Sequence, residues 1–287
     1  FAAGRWGPRP KFLNLVFSCI VGVSGVNLLW NTAHPPTPKV TEELRDIVEL
    51  PKGPRPDIYH LVLDGFGSQK SLKEKLNLDL SWFTNGLEKR GFHVAADART
   101  NYVQTELSLA STLNYSFIPS LLPEVSPDEH DRRILSNLIG ESAAMKKLIK
   151  SGYRFNMLGS GFPALSFGRY EISLPSNERI TLFEGTLLEM TPWRQSGHTA
   201  ASQYRQHYDD LNLAFKWLES NAKPTAVPRL TFAHILAPHP PFVIDENGSY
   251  VKPKGPFGLW DGSDFLQNFG DQKQYTTGYG NKASYAA

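Results

Sequence analysis

Apolar positions along this chain fall into two kinds of run: short ones closed by glycine or proline, and longer ones that recur at helical spacing. Ile58–Leu63 stops on Asp64-Gly65, Tyr153–Leu158 stops before Gly159-Ser160-Gly161, and Leu230–Leu236 runs into Ala237-Pro238-His239-Pro240-Pro241-Phe242. Short apolar runs punctuated in this way predict buried strands, and Phe92–Ala96 reads as a further one. Leu72, Leu76, Leu80, Phe83 and Leu87 keep a helical period and predict one helix over about Ser71–Arg90, stopped by Gly91. Helices are also predicted over Glu106–Leu113, Ala143–Lys150 and Gln203–Ser220, the last with Leu211, Phe215 and Leu218 on one face. Strand and helix alternate, which predicts an α/β fold: a mostly parallel central sheet flanked by helices. From Asp245 onward the chain is rich in Gly, Asp, Asn and Tyr and offers little periodicity to assign.

The amino end follows a different pattern. Phe12–Trp30 contains no charged residue, and as a helix it would be about 28 Å long, close to the hydrocarbon thickness of a bilayer. Arg5, Arg9 and Lys11 precede it, and no lysine or arginine follows until Lys39. By the positive-inside rule Phe1 is expected on the cytoplasmic side and the rest of the chain outside. Trp30 suits an interfacial position, and Ser18 with Gly22 forms a small-residue face that could pack on another membrane helix. A signal peptide would be shorter in its apolar part and carry a small-residue cleavage site; a buried core helix is the other alternative. The expected organisation is a cytoplasmic stub and transmembrane helix over residues 1–34, a proline-rich and charged linker over 35–56, and an extracytoplasmic domain over 57–287.

Charge and cysteine content narrow the classes of function. A formal net charge of +2 with no basic stripe argues against nucleic acid as a partner. The single cysteine, Cys19, excludes an internal disulfide framework and a cysteine-based zinc site.

Candidate chemistry gathers at the strand ends. Asp64 closes the first strand where open α/β sheets place their ligand sites, and Gly65 allows the sharp turn beside it. That makes Asp64 a candidate metal ligand, with a turn or helix cap as the plainer alternative. Asn101-Tyr102-Val103-Gln104-Thr105-Glu106-Leu107-Ser108-Leu109-Ala110-Ser111 is a hydroxyl-rich helix opening. A helix amino terminus favours an anionic tetrahedral group, so Thr105 is a candidate nucleophile, although it could instead be an N-cap. Ser108 and Ser111 lie a turn further in and are expected to face the core or neighbouring helices. His239 sits in a proline-flanked loop that could hold its imidazole toward the same strand-end site; a solvated loop histidine is the alternative. His234 alternates within a strand and reads as structural. Gly159-Ser160-Gly161 lacks the spacing of a dinucleotide-binding loop. Asn114-Tyr115-Ser116 and Asn247-Gly248-Ser249 are glycosylation sequons by pattern alone.

Three segments taken together resemble the sulfatase-like, membrane-anchored branch of the alkaline phosphatase superfamily. They are Pro56-Asp57-Ile58-Tyr59 through Leu63-Asp64-Gly65, then Asn101 through Asn114, then Phe232-Ala233-His234-Ile235-Leu236-Ala237-Pro238-His239-Pro240-Pro241-Phe242. They span about two hundred residues in the order used by that family, whose relatives include sulfatases, lipoteichoic acid synthases and lipid A phosphoethanolamine transferases. The resemblance implies an alkaline phosphatase-like fold with a divalent metal ion (Zn, Mn, Mg or Ca) held by Asp64 and Thr105. It implies that Thr105 is the metal-bound nucleophile and that His239 and Asn101 meet the substrate's anionic group. The implied substrate is a phosphate or sulfate ester, with lipid-linked and cell-envelope glycan esters among the candidates, and the implied location is a bacterial cytoplasmic membrane with the domain outside. Members of the family complete the metal site with a later Asp-His pair, usually Asp-His-Gly. No Asp-His-Gly occurs in this chain and no histidine follows His239. The expectation is therefore a chain truncated at both ends, with an incomplete metal site and little turnover of its own. Cys-x-Pro-x-Arg is absent, which disfavours a formylglycine sulfatase. The reading from another class is a noncatalytic, membrane-tethered interaction module that keeps the fold.

Overall fold

The computed structural model describes residues 9–33, 53, 55–160, 162, 165, 172–174, 182–192, 198–259 and 261–287. Most of the linker expected over 35–56 lies outside the described residues. In chain order the elements are α1 (Arg9–Ala33), β1 (Ile58–Leu63), α2 (Gln69–Leu76), α3 (Ser81–Glu88), α4 (Thr105–Leu113), α5 (Ile118–Leu121), α6 (Arg133–Gly140) and α7 (Ala143–Lys150). They continue with β2 (Arg154–Leu158), β3 (Ile172–Leu174), α8 (Leu182–Glu189), α9 (His198–Asn221), β4 (Arg229–Ile235), α10 (Gly262–Asn268) and α11 (Gln272–Ala286).

The described strands form one parallel sheet in the order β1-β4-β2-β3. β4 is buried along nearly its whole length, as expected of a central strand covered on both faces. One face packs with Leu109, Leu113, Leu135, Leu138 and Ile139 of α4 and α6. Another cluster joins Ala233 and Ile235 to Ala200, Tyr204, Leu211 and Ala214 of α9. Three of the four strands expected from the sequence are therefore neighbours in one parallel sheet, but β1 lies at an edge among the described strands. Its Tyr59 and Leu61 remain 37% and 51% exposed.

β1 and β4 are locked in register at their starts. The Asp57 carboxylate accepts from the Arg229 backbone N–H at 2.8 Å and lies 3.3 Å from Arg229 Nη2. Both side chains are largely shielded from water. Removing one member of such a pair strands the other charge, so Asp57→Ala is expected to cost about 3 kcal/mol, read by urea unfolding.

Several sequence expectations need correction. The helix expected over Ser71–Arg90 is two helices, because Asn77 adopts the left-handed conformation (φ 49) and caps α2. Asparagine tolerates that region well, and the leucine period continues across the break. Phe92–Ala96 is not a strand, and Phe92 is 61% exposed. Asn114 is buried, with its amide donating to Ala110 O and Leu138 O and its Oδ1 accepting from Ala143 N. It is therefore no glycosylation acceptor.

Phe12–Trp30 does lie within a continuous helix, α1, whose described apolar side chains point outward on every face. Among the described residues, however, no helix is long and apolar enough to cross a membrane. Within those residues α1 is an exposed helix.

Candidate functional site

The carboxyl ends of β1 and β4 and the amino end of α4 converge on Asp64. Backbone pairing continues past both strands: Asp64 N donates to Ile235 O at 2.9 Å, and His239 N donates to Asp64 O at 3.1 Å. Asp64 is therefore held from both sides by the β4 exit. Gly65 follows at φ +79, and a Cβ there would lie 3.6 Å from the His239 backbone. The positive φ is what calls for glycine at this position.

Thr105 is the first residue of α4, with Gln104 as the N-cap. Thr105 is thus not itself the cap. Its Oγ1 lies 3.4 Å from Asp64 Oδ1 and 3.3 Å from Oδ2. Gln104 makes no side-chain capping bond, which leaves the first-turn N–H groups facing an anion-friendly helix end. Of the rival hydroxyls Ser108, Ser111 and Thr112, Ser111 is buried and Ser108 Oγ is 2.7 Å from Thr100 Oγ1, so these two are engaged elsewhere.

The other expected site residues divide. His239 is half-buried beside Asp64, with Nδ1 2.6 Å from Pro240 O. Burial lowers its pKa, only partly opposed by that carbonyl and by Asp64, so the ring is neutral near pH 7. Asn101 instead donates its amide to Ser111 Oγ at 2.8 Å. That contact fixes the approach to α4 and gives Asn101 a positioning role.

Three residues to which the sequence reading gave no site role also shape the site. His234, within β4, has its ring buried, with Nε2 3.4 Å from Asp64 Oδ2 and Nδ1 2.7 Å from Ser160 Oγ. Tyr279 of α11 donates its hydroxyl to Gly65 O at 2.8 Å and accepts from Gly67 N at 3.1 Å. It pins the turn after Asp64, and burial raises its pKa to about 12. Lys282, also on α11, is fully buried: Nζ donates to His239 O at 2.6 Å and Pro241 O at 3.1 Å, and lies 3.0 Å from His207 Nε2. Burial drives the pKa of Lys282 and of His207 well down. These bonds tie the proline-rich loop to the last helix. Tyr279→Phe is expected to loosen the turn and cost about 1–2 kcal/mol in thermal or urea unfolding.

Asp64 is under opposing influences. Burial pushes its carboxyl up, while His234, then His239 and the Thr105 hydroxyl, pull it down, and the net shift is below the usual 3.8. A folded-state pKa below the unfolded one contributes stability that is fully present above about pH 4 and is lost as pH falls through the folded value. Wild type and Asp64→Asn should therefore converge in stability in acid and diverge as pH rises toward neutrality, measured by urea unfolding across pH 2–6.

Divalent-cation chemistry suits these donors. Asp64 supplies a carboxylate, Thr105 a hydroxyl, and His234 Nε2 is a buried nitrogen with no hydrogen-bond partner. Among the described residues, however, no group of three or more His, Cys, Asp or Glu side chains could hold a metal ion. No protein-family model, curated protein or solved structure matches this chain.

Proposed function

We propose that this chain carries the nucleophile side of a metal-assisted phosphoryl- or sulfuryl-transfer site of alkaline phosphatase-like type. The observation behind this reading is the pairing of Thr105 Oγ1, at the start of α4, with both carboxylate oxygens of Asp64, at the end of β1. A strand-end carboxylate beside a helix-end hydroxyl brings a cation-holding group and a nucleophile to one point.

Asp64 and Thr105 would hold a divalent cation. When bound, such an ion supplies the positive charge that favours ionisation of the hydroxyl and offsets charge on the attacked group. Thr105 attacks the phosphorus or sulfur of an ester, its oxygen replacing the leaving alcohol. The uncapped amino end of α4 offers backbone N–H groups to the non-bridging oxygens. His239, neutral and held by Pro240, stands on the other side of Asp64 to meet the substrate. The substrate class is a phosphate or sulfate ester, lipid-linked or cell-envelope glycan esters included. α1 supports a membrane as partner, because a helix exposing Phe12, Leu15, Phe17, Val21 and Leu29 to water gains from apolar surroundings.

The test is covalent capture. The 287-residue chain is incubated with Mn²⁺ or Zn²⁺ and a phosphate ester such as p-nitrophenyl phosphate, then digested and sequenced by mass spectrometry. A phosphoryl adduct on Thr105 is the expected result. Turnover is expected to stay low because the donors at hand do not complete a metal site, so the adduct is read and not the rate. Among the described residues no group of three or more His, Cys, Asp or Glu side chains could hold a metal ion, which favours a second reading, a noncatalytic interaction module. A chain that binds the ester and metal yet forms no adduct would support that second reading.

A further inference from the structure

His234 is the buried polar group that the proposed transfer leaves unused. Its ring is closed off from solvent, and its two nitrogens have unlike surroundings. Nδ1 is 2.7 Å from Ser160 Oγ. Nε2 faces the Asp64 carboxylate, 3.4 Å from Oδ2, and has no hydrogen-bond partner. A buried polar atom left unpaired costs about 1–3 kcal/mol, and such atoms in native folds call for an explanation such as an ion.

The spacing around Asp64 supplies one. Thr105 Oγ1 stands 3.3 and 3.4 Å from the carboxylate oxygens, where a direct O–H···O bond would settle at about 2.7–2.8 Å. His234 Nε2 stands equally far away on its own side. Two donors that each lie about 2.1 Å from one cation at a tetrahedral angle are about 3.4 Å apart. The Asp64–Thr105 and Asp64–His234 separations are thus long for direct bonds and match those of donors that share an ion.

We infer that His234 Nε2 joins Asp64 and Thr105 Oγ1 as a protein donor to a divalent cation of the zinc class. The inference rests on the transfer reading for the purpose of the ion, but its evidence is the orphaned nitrogen. It also narrows the metal: imidazole suits zinc and its transition-metal neighbours, whereas Mg²⁺ and Ca²⁺ prefer sites built from oxygen alone. Asp64 and His234 supply two ligands of the kind zinc takes and Thr105 adds a hydroxyl, with the remaining positions left to water or a substrate oxygen. Ser160 is then a positioning residue. By accepting a hydrogen bond from Nδ1–H it holds the tautomer that keeps the Nε2 lone pair free to bind metal, the usual work of a group behind a ligating histidine.

The test uses the whole chain labelled with ¹⁵N-histidine. On titration with Zn²⁺, the Nε2 resonance of His234 should shift to a metal-bound position, while Mg²⁺ should leave it in place. Calorimetry should show Zn²⁺ binding lost in Asp64→Asn and His234→Gln and weakened about tenfold in Ser160→Ala. If His234→Gln fails to fold, the NMR titration of the native chain and the Ser160→Ala affinity still decide the matter. A His234 whose Nε2 stays protonated and unmoved at saturating Zn²⁺ would be an ordinary partner of the Asp64 carboxylate, and the inference would be wrong. Undiminished Zn²⁺ affinity in His234→Gln, or no Zn²⁺ binding by the chain, would overturn it equally. Phosphoryl capture on Thr105 is measured separately, so the failure of one reading is distinguishable from the failure of the other.

Discussion

Thr105→Ala is expected to remove all phosphoryl capture from this chain while leaving its unfolding midpoint nearly unchanged. The lost hydroxyl makes contacts of 3.3 and 3.4 Å to Asp64, too long to contribute much stability. Alanine is the better helix former at an α-helical position, so the net change should stay within about 1 kcal/mol. The substitution also opens no sizeable cavity, because only a hydroxyl and a methyl leave a half-buried position. Thr105→Ser keeps the nucleophile and should retain capture at a reduced level. Ser108→Ala should leave capture untouched, since Ser108 is engaged with Thr100. Mass spectrometry of the adduct, alongside thermal melts, checks all three. An adduct that persists in Thr105→Ala would remove the basis for the nucleophile assignment.

Asn114→Ala is expected to be the most damaging single change outside the site. The Asn114 side chain bonds α4, α6 and α7 together: two donations, to Ala110 O at 2.8 Å and Leu138 O at 2.9 Å, and one acceptance, from Ala143 N at 3.0 Å. The last of these substitutes for a helix cap, because Ser142, the N-cap of α7, makes no side-chain capping bond. Alanine leaves two carbonyls and one N–H with their partner missing in a buried place. At about 1 kcal/mol or more for each, the loss is about 3–4 kcal/mol, a large share of the roughly 5–15 kcal/mol typical of a folded domain. Urea unfolding should show a lower midpoint with an unchanged slope. Asn114→Asp should fare no better, because a carboxylate can accept from Ala143 but cannot donate to the two carbonyls.

The parts of the fold readable in the sequence are those where composition and punctuation agree. β1, β2 and β4 are short apolar runs closed by glycine or proline, and α7 and α9 keep a clear helical period. The two-helix break at Asn77 was hidden because Leu72, Leu76 and Leu80 stay in phase across it, and one backbone in the left-handed region leaves no mark on the hydrophobic pattern. α11 was missed for the opposite reason: QKQYTTGYGNKASYA has no apolar stripe. Its signal was local, an Asp271…Gln274 capping box, a spacing that can be found by eye. Asp64 and Thr105 were legible as site residues because strand ends and helix starts have known electrostatic consequences. His234 was set aside because alternation within a strand assigns a face but says nothing about what lies opposite, and here that is Asp64, the first residue after the neighbouring strand. Lys282 could not have been suspected. A buried lysine amine depends on carbonyls of His239 and Pro241, and those partners exist only once the chain has folded back.

Parallel pairing of β1 with β4 joins residues that lie far apart in the chain, as the contact between Asp57 and Arg229 across 172 positions illustrates. Loops of that length close late and slowly, because the entropy of bringing their ends together is lost before any contact repays it. Asp64 meets His234 and His239 only through this pairing. A refolding chain would therefore acquire its helical segments, including α4 with Thr105, well before it has a site to offer. A ligand that binds at Asp64 would recognise the finished sheet and no earlier species. Its appearance in a stopped-flow trace would time the last long-range closure of the fold.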